Sequence, residues 1–119
     1  MKKILVVDDD IQTLKYIEDI LKKSDYEVIS AATCFEAIDL AKENLPDLII
    51  LDIVLPDGDG GSVASSLSSY DKTSNIPIIF LTGILKKNEQ ELIRSKYKVL
   101  AKPTTKEELL KVVKETLSS

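Results

Sequence analysis

Residues 4–10 read Ile4-Leu5-Val6-Val7-Asp8-Asp9-Asp10, four aliphatic residues running straight into three carboxylates. A strand wetted on one face alternates apolar with polar residues. An unbroken, largely β-branched apolar run instead fits a strand buried on both faces, as in a parallel sheet covered by helices on each side. The same theme recurs along the chain. Leu14, Ile17 and Leu21 follow at helical spacing, with Asp10 placed as N-cap and Ser24-Asp25 as the break. Val28–Ala31 reads as a second strand, and Thr33-x-x-Glu36 as a capping box opening a helix with an apolar stripe of Cys34, Ala37, Ile38, Ala41 and Leu45. Pro46 ends that helix, and Leu48-Ile49-Ile50-Leu51 is the most strongly apolar strand.

Beyond it lie a Pro/Gly/Asp loop, Pro56–Gly61, and a Ser-rich third helix over 62–69. A fourth strand, Ile76–Leu81, carries Pro77 at its entry, where a missing donor is tolerated. A charged helix over about 87–95, a fifth strand at Tyr97–Ala101 and a last helix complete the pattern. That last helix opens at Thr105-x-x-Glu108 and turns Leu109, Val112, Val113 and Leu117 inward. Strands alternating with helices of this length predict a three-layer α/β/α architecture around a five-stranded parallel sheet.

Composition narrows the class. The chain has 119 residues and 13.2 kDa, with 44% apolar and 30% charged residues and a mean hydropathy of +0.01, which fits one globular domain over 1–119. A formal net charge of −4 and the high apolar content argue against disorder. No apolar run approaches the roughly 20 residues of a membrane span, and Asp8–Asp10 cut short any signal-peptide core. The absence of His excludes His-based triads, His-ligated zinc and a phosphohistidine of its own. The single cysteine, Cys34, allows no internal disulfide, reads as a packing residue and fits a reducing, cytoplasmic setting. A pI near 4.9 with scattered lysines argues against direct nucleic-acid binding.

In an open parallel sheet, ligands bind where strands end at their carboxyl side, near a topological switch point. The first strand ends in Asp8-Asp9-Asp10, the third in Asp52, the fourth in Thr82 and the fifth in Lys102. Packed carboxylates repel and recruit a cation, and an oxygen-only ligand set suits a hard one such as Mg²⁺. Beside such an ion Asp52 can act as a covalent nucleophile toward a phosphoryl donor, with Lys102 and Thr82 holding phosphoryl oxygens. Taken singly, each residue has a plainer role: Asp10 as N-cap, Asp8 and Asp9 as loop residues, Asp52 and Thr82 as turn formers, Lys102 as a solvated cation. Their convergence on one edge of one sheet favours the joint reading.

These motifs resemble the receiver domain of two-component response regulators, the CheY-like fold, along essentially the whole chain. The matching stretches are Ile4–Asp10, Leu51–Gly60, Ile79-Phe80-Leu81-Thr82-Gly83 and Lys102-Pro103. The resemblance implies a doubly wound (βα)5 fold with strand order 2-1-3-4-5. It implies that Asp52 is the phosphoacceptor, taking a phosphoryl group from a sensor histidine kinase or phosphotransfer protein. It also implies that Asp8, Asp9, Asp52 and the backbone carbonyl of Val54 hold Mg²⁺, that Thr82 is the switch hydroxyl, and that Lys102 contacts the acyl phosphate. Phosphorylation in such domains repacks the surface of the fourth helix, fifth strand and fifth helix, which addresses an output domain or target and is the surface to search for a dimer. The domain then catalyses only its own phosphorylation and dephosphorylation.

Three positions depart from the pattern. Val99 stands where an aromatic switch residue is common, with Tyr97 nearby on the same strand face. The stretch from Thr82 to Lys102 is short, and Thr104 stands where an aromatic commonly follows Lys-Pro. Val54 and Ile84, two residues beyond Asp52 and Thr82, are both apolar, which predicts slow self-dephosphorylation because neither can orient a water. Two other classes compete. An aspartate-nucleophile phosphatase of the haloacid dehalogenase kind needs an Asp-x-Asp-x-Thr/Val loop, but Gln12 fills the fifth position. An interaction-only pseudo-receiver normally lacks the acceptor or an acid, and neither is lost here.

Overall fold

The computed structural model describes residues 1–83 and 97–118. The elements are β1 (Lys3–Val7), α1 (Ile11–Lys23), β2 (Glu27–Ala31), α2 (Cys34–Asn44), β3 (Leu48–Asp52), β4 (Val54–Leu55), β5 (Gly58–Asp59), α3 (Gly60–Ser68), β6 (Ile78–Thr82), β7 (Lys98–Ala101) and α4 (Lys106–Leu117). Five strands form a parallel sheet in the order β2-β1-β3-β6-β7, the expected 2-1-3-4-5 arrangement. The predicted helix over 87–95 lies outside the described residues.

Strand parity divides the core. On β1, Leu5 and Val7 face one way with Ile49 and Leu51 of β3 and Phe80 of β6, under Ala37 and Ala41 of α2 and Val63 and Leu67 of α3. Ile4, Val6, Leu48, Ile50, Ile79 and Leu81 face the other way, against Ile17 and Leu21 of α1 and Leu109 and Val113 of α4. Every residue of β3 is buried, as its unbroken apolar run demands. The helices begin where the side-chain caps place them. Asp10 accepts from the Gln12 amide and the Thr13 hydroxyl, Thr33 from the Glu36 amide, and Thr105 from the Glu108 amide. Glu36 reaches back to the amide of Ala32, completing a variant of the expected box.

Two expectations are corrected. Leu45 is not part of the α2 stripe. It is the C-cap in a left-handed conformation (φ 47°) and is exposed, because the chain must leave the helix before Pro46. The Pro56–Gly61 stretch is not simply a loop, since its Gly58–Asp59 (β5) pairs with β4 just before it as a small antiparallel hairpin, Val54 opposite Asp59 and Leu55 opposite Gly58. Helix α3 therefore begins at Gly60, two residues earlier than predicted, capped by Asp59 through the Ser62 amide.

Gly60 lies at the junction that positions the end of β3. Its amide donates to the Ile53 carbonyl at 2.7 Å, and a Cβ there would sit 2.7 Å from the Asp52 carbonyl oxygen and 3.1 Å from the Phe80 ring. The closest clash is with backbone, so the end of β3 or the start of α3 has to move. Gly60→Ala is expected to destabilise the domain by about 1–3 kcal/mol, as overpacking does. Urea denaturation should show a lower midpoint with an unchanged slope, and an unchanged midpoint would refute the close packing.

Candidate functional site

The sheet order reverses between β1, which pairs with β2, and β3, which leads on to β6 and β7. The crevice at the carboxyl ends of β1 and β3 is therefore where this topology places a ligand. Asp8 and Asp9 follow β1 and Asp52 ends β3, while Lys102 directly follows β7. Thr82 ends β6, and its carbonyl accepts from the Lys102 amide at 2.8 Å. The four strand-end motifs thus meet at one edge of the sheet.

The central feature is an ammonium shared by two buried carboxylates. Lys102 Nζ donates to Asp52 Oδ2 at 2.8 Å and lies 2.8 Å from Asp8 Oδ2. Asp8 is fully buried and Asp52 is 5% exposed. Asp52 Oδ1 accepts from the Val54 amide at 3.3 Å, so each oxygen of this carboxylate is held from a different part of the chain. Asp8 Oδ1 accepts from the Asp10 amide at 2.8 Å. Asp8 Oδ2 meets the ammonium at an ion-pair distance but makes no properly angled hydrogen bond.

Burial pushes the Asp52 carboxyl above the usual carboxylate range, with the Lys102 hydrogen bond pulling the other way and Asp8 adding repulsion. For Lys102 burial opposes the charge, but Asp52 and then Asp8 prevail and hold the ammonium above its ordinary value. The lysine is therefore a fixed charge of the site and not a solvated cation.

Asp8, Asp9 and Asp52 each offer a carboxylate oxygen within 4.8 Å of the others. Three carboxylates against one ammonium leave the cluster net negative, and buried Asp8 Oδ2, though ion-paired, makes no hydrogen bond. An all-oxygen donor set with exposed Asp9 at its mouth fits a hard divalent cation such as Mg²⁺.

The remaining expected residues take these places. Val54 opens β4 with an exposed side chain (73%), beside Asp52 through its amide. Asp10 is the cap of α1, as its plainer reading had it. Ile84 lies outside the described residues. Tyr97 precedes β7 on the face of Val99 and packs edge-on against Phe80, with ring centroids 5.0 Å apart at 88°. Cys34 is buried, and burial followed by the neighbouring Asp57 pushes its thiol up to about 11, an inert packing residue.

Two side chains near the site carry no sequence signal. The Tyr16 hydroxyl donates to the Thr104 carbonyl at 2.9 Å, tying α1 to the chain just past Lys102-Pro103. Asp57 accepts from the amides of Cys34 and Phe35, tying the β4–β5 turn to α2. Both contacts join residues far apart in the chain, where neither period nor local spacing reports them.

Comparison with known proteins agrees with this geometry. Residues 4–114 match the family described as the response regulator receiver domain. The chain is 38% identical over 93 residues, 78% of it and 76% of the relative, to the polar-differentiation response regulator DivK of Brucella anthropi. It superposes on the chemotaxis protein CheY4 of Vibrio cholerae with a TM-score of 0.89 at 28% identity, covering 98% of both chains. It also matches the receiver domain of the sensor histidine kinase PA1611 from Pseudomonas aeruginosa, a structure with magnesium coordinated in its active-site cleft. There the TM-score is 0.90 at 28% identity, over 99% of this chain and 98% of that one. With a family match over residues 4–114, a relative 38% identical over most of both chains and the same fold in solved receiver structures, the chain belongs to the response regulator receiver domain family.

Proposed function

We propose that this domain accepts a phosphoryl group on Asp52 from the phosphohistidine of a sensor histidine kinase or phosphotransfer protein. The observation that carries the reading is the half-buried ammonium of Lys102 standing between the buried carboxylates of Asp52 and Asp8. A carboxylate oxygen of Asp52 forms the new P–O bond as the donor's P–N bond breaks and the imidazole leaves. Lys102, already charged and held 2.8 Å from Asp52, compensates the phosphoryl oxygens with little reorganisation. Mg²⁺ held by Asp8, Asp9, Asp52 and the Val54 carbonyl supplies further charge neutralisation when bound. The Thr82 hydroxyl, at the end of β6, hydrogen-bonds the phosphoryl group and couples it to the face formed by the chain after β6, β7 and α4. That face addresses an output domain, a target protein or a second copy of the domain. The setting is cytoplasmic, and among the described residues no helix is long and apolar enough to cross a membrane. The domain turns over no separate substrate, promoting only its own phosphorylation and dephosphorylation.

Intact mass after incubation with Mg²⁺ and acetyl phosphate tests the acceptor directly. One added phosphoryl group is expected, absent without Mg²⁺ and absent in Asp52→Asn. No addition under any condition would return the domain to an interaction-only role.

Metal binding has its own readout. Without phosphodonor, Mg²⁺ should raise the melting temperature by several degrees, since ligand at 100 times its Kd stabilises by about 2.7 kcal/mol. Asp9→Asn removes an exposed ligand at little cost to the fold, so it should flatten that rise. An equal rise in both proteins would place the ion elsewhere.

The lifetime of the phosphorylated state follows from Val54. Its side chain can neither donate to nor accept from a water, so decay after donor removal should be slow and Val54→Gln should shorten it several-fold. Equal half-lives would remove Val54 from control of the water.

A further inference from the structure

The acceptor's two oxygens are held very differently. Oδ2 is gripped by Lys102, a charged partner at 2.8 Å. Oδ1 rests on the Val54 amide at 3.3 Å, a long bond from a hairpin whose strands are two residues each. So short a hairpin has little stability of its own, and its placement has to come from other contacts. The structure shows which ones. Asp57, in the turn between β4 and β5, accepts from the Cys34 amide at 2.7 Å and from the Phe35 amide at 3.1 Å.

Those are the first two amides of α2, and Thr33 takes the third, that of Glu36. Together Thr33 and Asp57 satisfy donors that a helix otherwise leaves open, at the positive end of its dipole. The two amides hold the Asp57 carboxyl below the usual carboxylate range, so it stays ionised at working pH. The fit is close, since the Cys34 thiol lies 3.7 Å from the Asp59 carbonyl and a Cβ on Gly58 would stand 3.2 Å from that sulfur.

We propose that Asp57 is a positioning residue for phosphoryl transfer: it clasps the β4–β5 hairpin onto α2 and thereby holds the Val54 amide against Asp52. Its contacts run from α2 to Asp57, across the pairs Leu55–Gly58 and Val54–Asp59, to Val54 and so to Asp52 Oδ1. With Lys102 fixing one oxygen from the β7 side and the hairpin fixing the other from the α2 side, the carboxylate is oriented before a donor arrives. Preorganisation of that kind appears in rate, not in the contact list of the reacting atoms. The inference rests on Asp52 being the acceptor.

The competing account is that Asp57 only stabilises α2, and a second cap on the same helix separates the two. Asp57→Ala, Asp57→Asn and Thr33→Ala are compared in the full chain by melting temperature, by the maximal phosphorylation rate with acetyl phosphate and Mg²⁺, and by hydrogen exchange at the Val54 amide. Asp57→Ala is expected to lower the maximal rate about tenfold, with the dependence on donor concentration unchanged. It should also speed exchange at Val54. Asp57→Asn, whose one amide oxygen can keep the shorter bond from Cys34 but not the second from Phe35, should recover part of the rate. Thr33→Ala should lower the melting temperature while leaving both rate and exchange near the wild type. A wild-type rate in Asp57→Ala, or an equal rate loss in Thr33→Ala, overturns the proposal. If the wild type itself takes no phosphoryl group, the acceptor reading fails. Exchange at Val54 then still decides whether Asp57 holds the hairpin.

Discussion

One ammonium group standing between two buried carboxylates sets the terms for the rest of this domain. Lys102 Nζ lies 2.8 Å from both Asp8 and Asp52, and neither acid reaches bulk water to any extent. Burying a charge without a partner costs several kcal/mol, so the three side chains are tolerated only together. They come from the ends of β1, β3 and β7. A parallel sheet is the arrangement that delivers three strand ends to one edge, with both faces dry enough to make the charges matter. The apolar runs of β1 and β3 therefore do more than fill a core. By burying both faces of the central strands they remove the water that would otherwise screen the site.

This coupling explains why so much was legible in the sequence. Parity along β1, β3 and β6 sorts the core into its two layers without any long-range information, because a strand's faces alternate strictly. The polar residue that ends each apolar run is then the site, since strand direction is fixed by the helical connections. Caps are equally local, as Asp10, Thr33 and Thr105 each announce a helix a few residues ahead. Legibility stops where a residue's partner is distant. Asp57 and Tyr16 bond to backbone 22 or more residues away, and nothing in either neighbourhood distinguishes such an acid or tyrosine from a solvated one. Leu45 is a different failure. Helical period includes it in the α2 stripe, but Pro46 forces the chain out one residue sooner, and backbone sterics override the pattern.

The face that departs from the family pattern is built differently from the acid cluster. Val99 on β7 and Tyr97 just before it lie on the side of the sheet that α2 and α3 cover, and Tyr97 packs edge-on against Phe80. Phe80 in turn sits 3.1 Å from where a Cβ on Gly60 would stand, at the junction that places the end of β3. The aromatic content of this region is thus shared between Phe80 and Tyr97 and leans toward the acceptor strand. A change at the end of β3 has a route of packed atoms to the start of β7 that does not pass through Val99.

Charge arithmetic says what has to move. The unmodified site holds three carboxylates against one ammonium. On the proposed reading, a phosphoryl group on Asp52 replaces one carboxylate charge by roughly −1.5 to −2 and adds three strong acceptor oxygens. The strand ends cannot follow those oxygens, because Asp8 is locked to the Asp10 amide and the Asp52 backbone abuts Gly60. Lys102, already between two carboxylates, meets part of that charge from where it stands. On the proposed reading a further donor is the hydroxyl of half-buried Thr82 at the end of β6. Its carbonyl also receives the Lys102 amide, so a shift of Thr82 is felt at β7 through backbone as well as through the phosphoryl group. On that reading, a rigid acid cluster beside a hydroxyl on the neighbouring strand end is how a local change of charge comes to bias β7.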